Sequence, residues 1–526
     1  MSAGDSVSGA RPRVVVIGGG ISGLAAAYRL TARLRGAEVV LLEQEARLGG
    51  KIVTERPDGY VIEGGPEALL MTKPVASALC EDLGLGPHLQ GPRAEARQSF
   101  ILRGGTLQPL PEGLGNLLPT RLWPIVTSPL ISPLGKLRMG LDLVEPRRRD
   151  DGDESVADFI ARRLGQEAYA WLVDPLVSGI YAADGRHLSL AATFPHLREM
   201  EREHGGLIRS ALAARRRSHA PVGSASPAPF QAPREGLGLL IDALETRLRA
   251  ADAHIEIVSP AREVRRSGEG FAVMRASGET EHADALICAT PAPVTASLLA
   301  RIDPRLARHL RAIPHASVAT LALAYARQAI PLLPAGSGYL TPRAERRAVK
   351  ACTWVSAKWE NRAPADTSLF RVSFGGAGRD AIVEASGEDL LLLAREELRT
   401  VLGITAPPCF TRLFRWPRAM PQYDLGHLER LAEIDACLGD APNLAIAGNA
   451  YCGVGLADCL RSAEQAADRL IAYFTTRDAT VQPQASSAAN TICQPEPARE
   501  ISSLAALREP DTVPSASERH DARTLL

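Results

Sequence analysis

The stretch VVVIGGGISGLAAAYRL, residues 14–30 of the 526-residue chain, decides the fold. Its first four residues form an apolar run typical of a buried strand in a parallel sheet. The run leads into Gly18-x-Gly20-x-x-Gly23, a spacing that lets the chain turn tightly and lets a pyrophosphate approach the backbone. The Ala-rich helix that follows would direct its free N–H groups at the phosphates. The stretch therefore predicts a dinucleotide-binding strand, turn and helix; the alternative is a tight turn without a ligand.

An acidic residue ends the next apolar strand. Residues 38–42 read EVVLL and are followed by Glu43, at the distance from Gly23 where a carboxylate hydrogen-bonds ribose hydroxyls. A carboxylate would repel a 2′-phosphate. The pattern therefore favours NAD or the adenosine half of FAD.

Composition narrows the possible partners and location. The 60 basic and 60 acidic residues give a formal net charge of +0, so we expect no nucleic-acid partner. The eight cysteines form no CxxC pair and no metal-ligand spacing with histidine, so we expect neither a metal site nor disulfides. We expect a cytoplasmic protein, because the first residues contain no secretory h-region and no apolar run is long enough to span a bilayer.

Further apolar strands lie far along the chain from the first. They are predicted at 255–258, 271–274, 285–289 and 444–449, and a helix is predicted from Leu456 to Phe474. The cofactor domain is therefore expected to be discontinuous. The chain contains no second GxGxxG, no GxSxG and no HExxH. This favours a permanently bound flavin over a dissociable nicotinamide, with the chemistry supplied by the cofactor and no catalytic side chain.

Residues 111–146 are apolar and repeatedly interrupted by proline, which predicts short, broken helices. Such a segment packs as a helical subdomain, or it contacts a bilayer surface or an apolar ligand. Ser155 is predicted to cap a helix that stops at Gly165.

The motifs resemble a known family. The glycine turn, Glu43 and RLGG at 47–50 resemble the amine-oxidase-type flavoproteins, and within them the chain is similar to the FAD-dependent porphyrinogen oxidases of haem biosynthesis. The stretches that carry the second resemblance are EGGP (63–66), DPLVSGIYAADGRHLSLAATFPHLREMEREHGGLI (174–208), FRWPRAMPQYDLGHLERL (414–431) and GNAYCGVGLADCLRSAEQAA (448–467). The resemblance runs from about residue 12 to 474.

The resemblance implies an α/β fold with a p-hydroxybenzoate-hydroxylase-like FAD domain. The implied units are the FAD domain (12–92, 232–299 and 438–474), a mixed-sheet substrate domain (93–110 and 300–437) and a helical subdomain tied to membrane contact or substrate entry (111–212). Composition adds a flexible loop at 213–231 and a disordered tail at 475–526.

The activity implied is the oxygen-dependent removal of six electrons from a porphyrinogen, in three two-electron steps that each yield hydrogen peroxide. The implied partners are the porphyrinogen, dioxygen, a membrane surface touched peripherally at its inner face, and the next haem-pathway enzyme as the recipient of the product.

The resemblance also implies which residues bind. FAD would contact Gly18, Gly20, Ile21, Ser22 and Gly23 (pyrophosphate), Glu43 (ribose), Arg47, Gly49, Gly50 and Lys51 (phosphates and ribityl chain), Gly65, Pro66, Glu67 and Trp416 (near the ring), Val264 (adenine), and Val454, Gly455 and Leu456 (flavin N1/O2 edge). Gly179 and Ser99 would contact the substrate.

The choice of porphyrinogen depends on the carboxylates to be bound. Mitochondrial and plastid protoporphyrinogen oxidases carry an arginine where QSFIL (98–102) here has Ser99, although Arg97 and Arg103 are close. Ser99 and CTWVSAKW (352–359) resemble bacterial enzymes acting on coproporphyrinogen III, which has four propionates instead of two. The candidate cations for the extra propionates are Arg343, Arg346, Arg347, Lys350 and Lys358.

Coproporphyrinogen III is therefore the favoured substrate, and protoporphyrinogen IX is the alternative. More remote alternatives are an amine oxidase, a carotenoid desaturase, and a flavin- or porphyrin-binding protein without turnover.

Overall fold

The computed structural model describes residues 11–111, 123–150, 152–217 and 228–479. Its strands are β1 (Arg13–Ile17), β2 (Glu38–Leu42), β3 (Thr54–Glu55), β4 (Ile62–Glu63), β5 (Leu69–Leu70), β6 (Leu89–Gln90), β7 (Ser99–Arg103), β8 (Thr106–Pro109), β9 (Phe230–Pro233), β10 (His254–Glu256), β11 (Ala261–Ser267), β12 (Gly270–Arg275), β13 (Thr280–Ala283), β14 (Ala285–Cys288), β15 (His315–Ala326), β16 (Gly338–Leu340), β17 (Val349–Trp354), β18 (Thr367–Gly375), β19 (Phe410–Pro421) and β20 (Leu444–Ile446).

The helices are α1 (Ile21–Arg33), α2 (Pro74–Asp82), α3 (Trp123–Thr127), α4 (Pro133–Gly140), α5 (Val156–Leu164), α6 (Gln166–Ala168), α7 (Asp174–Tyr181), α8 (Leu190–Thr193), α9 (Pro195–His204), α10 (Leu207–Arg217), α11 (Gly238–Ala250), α12 (Ala292–Leu298), α13 (Pro304–Arg311), α14 (Val355–Lys358), α15 (Gly387–Leu402), α16 (His427–Gly439) and α17 (Leu456–Ala479). No helix in the described part of the chain is long and apolar enough to cross a membrane.

A five-stranded parallel sheet in the order β10-β2-β1-β14-β20 contains the first strand of the chain. Val14 and Val16 pack against α1, α11 and α17 on one face. Val15 and Ile17 pack on the other face, against the small antiparallel sheet β11-β12-β13 and α12, α13 and α16. Both faces are buried, so β1 reads as an unbroken apolar run without alternation.

Helices α1 and α17 run parallel, side by side, on the same face of this sheet. Near their first turns the Ser22 hydroxyl donates to the Cys459 carbonyl at 3.2 Å. Further along both helices, Arg29 Nε is 2.8 Å from Asp468 Oδ1. Small side chains at the contact, such as Ala26 and Ala463, let the two helices approach closely. The two N-termini are therefore neighbours.

A second, mixed sheet has the order β19-β15-β18-β17-β16-β7-β8, in which only the β16–β7 pair is parallel. Leu321 and Phe370 on one face pack with Leu398 of α15. The other face is covered in two parts. The segment around Ile62 covers Ala322 of β15, and the layer formed by helices α3–α9, hereafter the helical layer, covers Ile101 of β7.

The helical segment confirms two local predictions. Ser155 Oγ accepts the Asp158 N–H at 3.0 Å, and Gly165, with φ +95°, ends α5. The Pro-interrupted stretch forms the short helices α3 and α4. Residues 112–122 lie outside the described residues.

Several predicted boundaries were wrong. Residues 213–217 end α10, and Phe230 and Gln231 belong to β9, so the loop predicted at 213–231 was wrong at both of its ends; residues 218–227 lie outside the described part. Helix α17 continues through residues 475–479, which were predicted as tail; residues 480–526 are not described. The strand predicted at 255–258 ends at Glu256, because Val258 adopts φ +53°.

Candidate cofactor and substrate site

The glycine turn after β1 has no room for side chains at Gly18, Gly19 and Gly23. Gly18 has φ +108°, and its N–H donates to the Leu42 carbonyl at 2.8 Å. A Cβ on Gly23 would overlap the carbonyl oxygen of Gly18. Glycine is therefore needed at the turn and at the first helical turn, as the spacing predicts.

Glu43 is bound to the glycine turn itself. Its carboxylate accepts the Gly19 N–H at 2.6 Å and the Glu45 N–H at 2.8 Å. The Ser259 N–H donates to the Glu43 carbonyl at 2.8 Å, which brings the connection between β10 and β11 alongside. The sequence assigned this carboxylate to the ribose alone. The structure adds that Glu43 fixes the turn, through contacts that its spacing could not reveal.

Glu43→Gln is expected to weaken FAD binding by about 10- to 100-fold, because it replaces a charge-assisted acceptor with a neutral amide that satisfies only one of the two N–H groups. The dissociation constant is measured by titrating the stripped protein with FAD. Glu45→Gln, a change at an exposed neighbour, should leave the affinity within about twofold. Equal affinities for the wild type and Glu43→Gln would contradict this role.

A second glycine loop lies against the first. The Gly49 N–H donates to the Gly19 carbonyl at 2.8 Å, and a Cβ on Gly50 would lie 3.0 Å from the Cα of Gly20. Arg47 donates to the Gly50 carbonyl at 2.7 Å and to the Ile52 carbonyl at 3.2 Å, so its guanidinium shapes this loop.

Lys51 follows the second loop and reaches the segment before α17. Its ammonium lies 3.4 Å from Asn449 Oδ1, and burial lowers the pKa of Lys51. Lys51 therefore joins the two glycine-rich parts of the site.

Two helix N-termini converge at these loops. Val454 and Gly455 lead into α17, which begins at Leu456 beside the start of α1. The Gly453 N–H donates to the Tyr423 hydroxyl at 2.8 Å, which fixes the approach to α17. Two sets of free N–H groups and two positive dipole ends therefore share one location. This arrangement fits a dinucleotide whose phosphates and electron-accepting ring both carry negative charge.

The segment Gly64–Pro66 connects the loops to the mixed sheet. The Gly64 carbonyl accepts Trp416 Nε1 and Thr320 Oγ1, each at 2.8 Å. A Cβ on Gly65 would overlap the Lys51 carbonyl oxygen. Trp416 is therefore held against the segment predicted to lie near the flavin ring.

Glu67 is neutralised by two cations. It forms ion pairs with Lys358 and, at 3.6 Å, with Arg371. Burial acts to raise the pKa of the Glu67 carboxyl, but the charges of Lys358 and Arg371 outweigh it and hold that pKa below its ordinary value. The ion pair between Glu67 and Arg371 was not predicted, because the two residues are far apart in sequence.

Val264 lies on β11, the edge strand of the small sheet, and its side chain is buried in the core. Five residues earlier, Ser259 contacts Glu43. Backbone contact between Val264 and adenine stays a prediction.

The two predicted substrate residues are both connected to the β16–β7 strand pair. Ser99 Oγ is 3.1 Å from Ser337 Oγ, at the start of β7. A Cβ on Gly179 of α7 would lie 3.1 Å from Leu340 Cδ2, and Leu340 pairs with Ile101 of β7. The β16–β7 pair therefore brings the Gly179 region and Ser99 to the same part of the sheet.

Most of the candidate cations already have protein partners. Arg103, which is close in sequence to the position of the missing arginine, pairs with Glu167 at 3.1 Å and lies over the Trp171 ring. Three of the five candidate cations have acidic partners, namely Asp174 for Arg343 (3.7 Å), Glu397 for Arg347 (3.0 Å) and Glu67 for Lys358. Arg346 is exposed. Lys350 differs from them, because it is buried and has no such partner among the described residues.

The comparisons with known proteins agree with this geometry. The family model described as flavin containing amine oxidoreductase matches residues 21–471. The chain belongs to this family. Membership confirms the predicted fold class, the oxidoreductase activity and the FAD cofactor.

Similar proteins within this family include bacterial coproporphyrinogen III oxidases. The coproporphyrinogen III oxidase of Propionibacterium freudenreichii subsp. freudenreichii is 38% identical, over 87% of this chain and 90% of that protein. The coproporphyrinogen III oxidase of Bacillus subtilis (strain 168) is 34% identical, over 89% of this chain and 100% of that protein. A crystal structure from Exiguobacterium sp. 255-15, provisionally named a protoporphyrinogen oxidase, has 31% identity and a TM-score of 0.78, and covers 88% of this chain and 99% of that chain.

Proposed function

We propose that this flavoenzyme oxidises coproporphyrinogen III to coproporphyrin III with dioxygen as the acceptor. The observation that carries the proposal is the extent of the 38% identity, which spans 87% of the chain and so includes the mixed sheet as well as the glycine loops. Ser99, an uncharged residue bonded to Ser337, supports the bacterial, four-propionate substrate. Protoporphyrinogen IX is the second candidate, supported by the name of the Exiguobacterium structure.

In this proposal, the residues of the chain bind and orient the cofactor and the substrate, and they transfer no protons. Removing hydride from a saturated bridge carbon requires an acceptor, which bound FAD supplies. The two helix N-termini hold negative charge at the cofactor, and Trp416 and Gly65 fix the segment beside its ring. The sheet face near Ser99 and Gly179 positions the macrocycle.

Porphyrin fluorescence under air tests the proposal directly. The purified holoprotein should convert coproporphyrinogen III to fluorescent porphyrin well above the autoxidation rate and faster than protoporphyrinogen IX, with three molecules of hydrogen peroxide for each porphyrin. Fluorescence that rises no faster than in protein-free buffer would overturn the proposal. Faster oxidation of protoporphyrinogen IX would favour the second candidate.

We also propose peripheral contact with the inner face of the membrane through α4. Leu134 and Leu137 are 78% and 69% exposed, and with Leu141 they follow the i, i+3, i+7 spacing of one helix face. Exposed leucines in such a row favour an apolar partner over water. Hand-off of the porphyrin to the next haem-pathway enzyme would take place at that surface.

The double variant Leu134→Glu/Leu137→Glu is expected to lose at least about 10-fold in partitioning to anionic liposomes, because each glutamate replaces an apolar side chain that the bilayer would bury with a charge that anionic lipids repel. Flotation on a density gradient measures the bound fraction. Leu392→Glu changes a 61% exposed leucine on α15 and serves as the matched control. If the wild type stays with the soluble fraction, membrane contact is ruled out.

A further inference from the structure

Lys350 is a largely buried lysine whose ammonium has no carboxylate partner among the described residues. It lies on β17 and is 7% exposed. Among the described residues no hydrogen bond or ion pair engages its ammonium. Three cations act on it, Arg371, Arg343 and Arg379, and burial together with these charges lowers the pKa of Lys350 to about 8. An unpaired charge of this kind is costly to bury unless an anion joins it.

The neighbours of Lys350 do not remove the need for an anion. Arg343 is shared between Asp174 and Asp184, at 3.7 and 3.8 Å, while Arg379 donates to the Arg347 carbonyl at 3.2 Å. Arg371 is the cation that also contacts the carbonyl of Gly65 and the carboxylate of Glu67. The cluster of Lys350, Arg371, Arg343 and Arg379, hereafter the Lys350 cluster, therefore keeps excess positive charge inside the protein.

The position of the cluster connects it to both halves of the site. Arg371 joins it to the segment predicted to lie beside the flavin ring. Arg343 joins it to α7, because its N–H donates to Asp174 Oδ2 at 2.9 Å and Gly179 lies on the same helix. Strand β17 lies between β18 and β16. On this face of the sheet, the segment around Ile62 covers one side of β17 and the helical layer covers the other. An anion held by Lys350 would therefore lie next to a macrocycle placed between α7 and the sheet.

We propose that Lys350, supported by Arg371 and Arg379, binds a carboxylate of the substrate, namely one propionate of coproporphyrinogen III. The inference rests on the proposed function and makes Lys350 a specificity-determining residue. A fixed ammonium selects carboxylate-bearing rings over esters or vinyl-substituted positions, because only the carboxylate neutralises the cluster. The fully reacted tetracarboxylate, coproporphyrin III, carries the same groups and should bind to the same residue.

The test is equilibrium binding of coproporphyrin III to the holoprotein, followed by quenching of porphyrin fluorescence. Lys350→Met should raise the dissociation constant by about 10- to 100-fold, and Lys350→Arg should recover most of the affinity. The tetramethyl ester of coproporphyrin III should bind wild type and Lys350→Met within about twofold of each other. Arg399→Met removes one charge from the exposed surface of α15 and should change none of these constants.

Thermal stability separates binding from a structural role. Without ligand, Lys350→Met should melt at the same temperature as the wild type or higher, since the variant no longer buries an unpaired charge. An unchanged coproporphyrin affinity in Lys350→Met, an equal loss for acid and ester, or a lower melting temperature would each overturn the proposal. Turnover is recorded separately. Tight, Lys350-dependent binding without oxidation would contradict the proposed function and leave the carboxylate site intact.

Discussion

Replacing Gly23 with alanine should give a protein that is purified without its flavin. The new Cβ would overlap the carbonyl oxygen of Gly18, so the start of α1 must move away from the turn. That movement removes N–H groups from the pyrophosphate position and disturbs the neighbouring start of α17. A loss of at least about 3 kcal/mol, or more than about 100-fold in FAD affinity, is expected.

Visible flavin absorbance per mole of purified protein measures this effect. Gly439→Ala, at the end of α16, is the matched control, because a Cβ there meets no atom within 4 Å. This control should keep the wild-type flavin content. A yellow Gly23→Ala protein with unchanged affinity would show that the glycine turn does not hold the cofactor.

Asp142→Ala should produce the largest loss of stability in the helical layer. Asp142 and Arg163 are both 0% exposed, with Arg163 Nε 2.6 Å from Asp142 Oδ1. The second carboxylate oxygen accepts the Ile208 N–H at 2.7 Å, which connects the 3₁₀ turn after α4 to α10. The substitution leaves a guanidinium buried without its main partner, at a cost of about 3–5 kcal/mol.

Differential scanning fluorimetry measures the change as a drop in Tm of about 3–5 °C. Glu245→Ala removes a partly exposed partner of Arg249, 2.8 Å away on α11, and should shift the Tm by less than about 1 °C. Equal shifts for the two variants would show that burial does not make the Asp142–Arg163 pair critical.

Local spacing predicted the cofactor half of the fold well. The continuous run at 14–17 requires a strand buried on both faces, and the structure has β1 at the centre of the five-stranded sheet. Backbone turns need glycine at fixed positions, so Gly18, Gly23, Gly49 and Gly50 could be found from sequence alone. Ser155 and Gly165 likewise marked a helix from its ends.

Charge pairing could not be predicted in the same way. Lys358 and Glu67 are 291 positions apart, and sequence gives no signal for such a partner. Arg103 was close to the expected propionate position in sequence, but in the fold it reaches Glu167 and the Trp171 ring. The isolation of Lys350 depends on which neighbours the register of β17 and β18 supplies. Tertiary contacts alone decide which of several similar cations stays unpaired.

The contact between α1 and α17 also dictates when the cofactor can enter. Ser22 and Cys459 are separated by 437 positions, so a ribosome working at about 5–20 residues per second needs roughly 20–90 s between them. During that interval the glycine turn has emerged but the second helix end does not yet exist. Flavin uptake that needs both helix ends must therefore follow the synthesis of α17, and chains terminated before Leu456 should be colourless when purified. Bound FAD would thus distinguish chains that contain α17 from chains that stop before it.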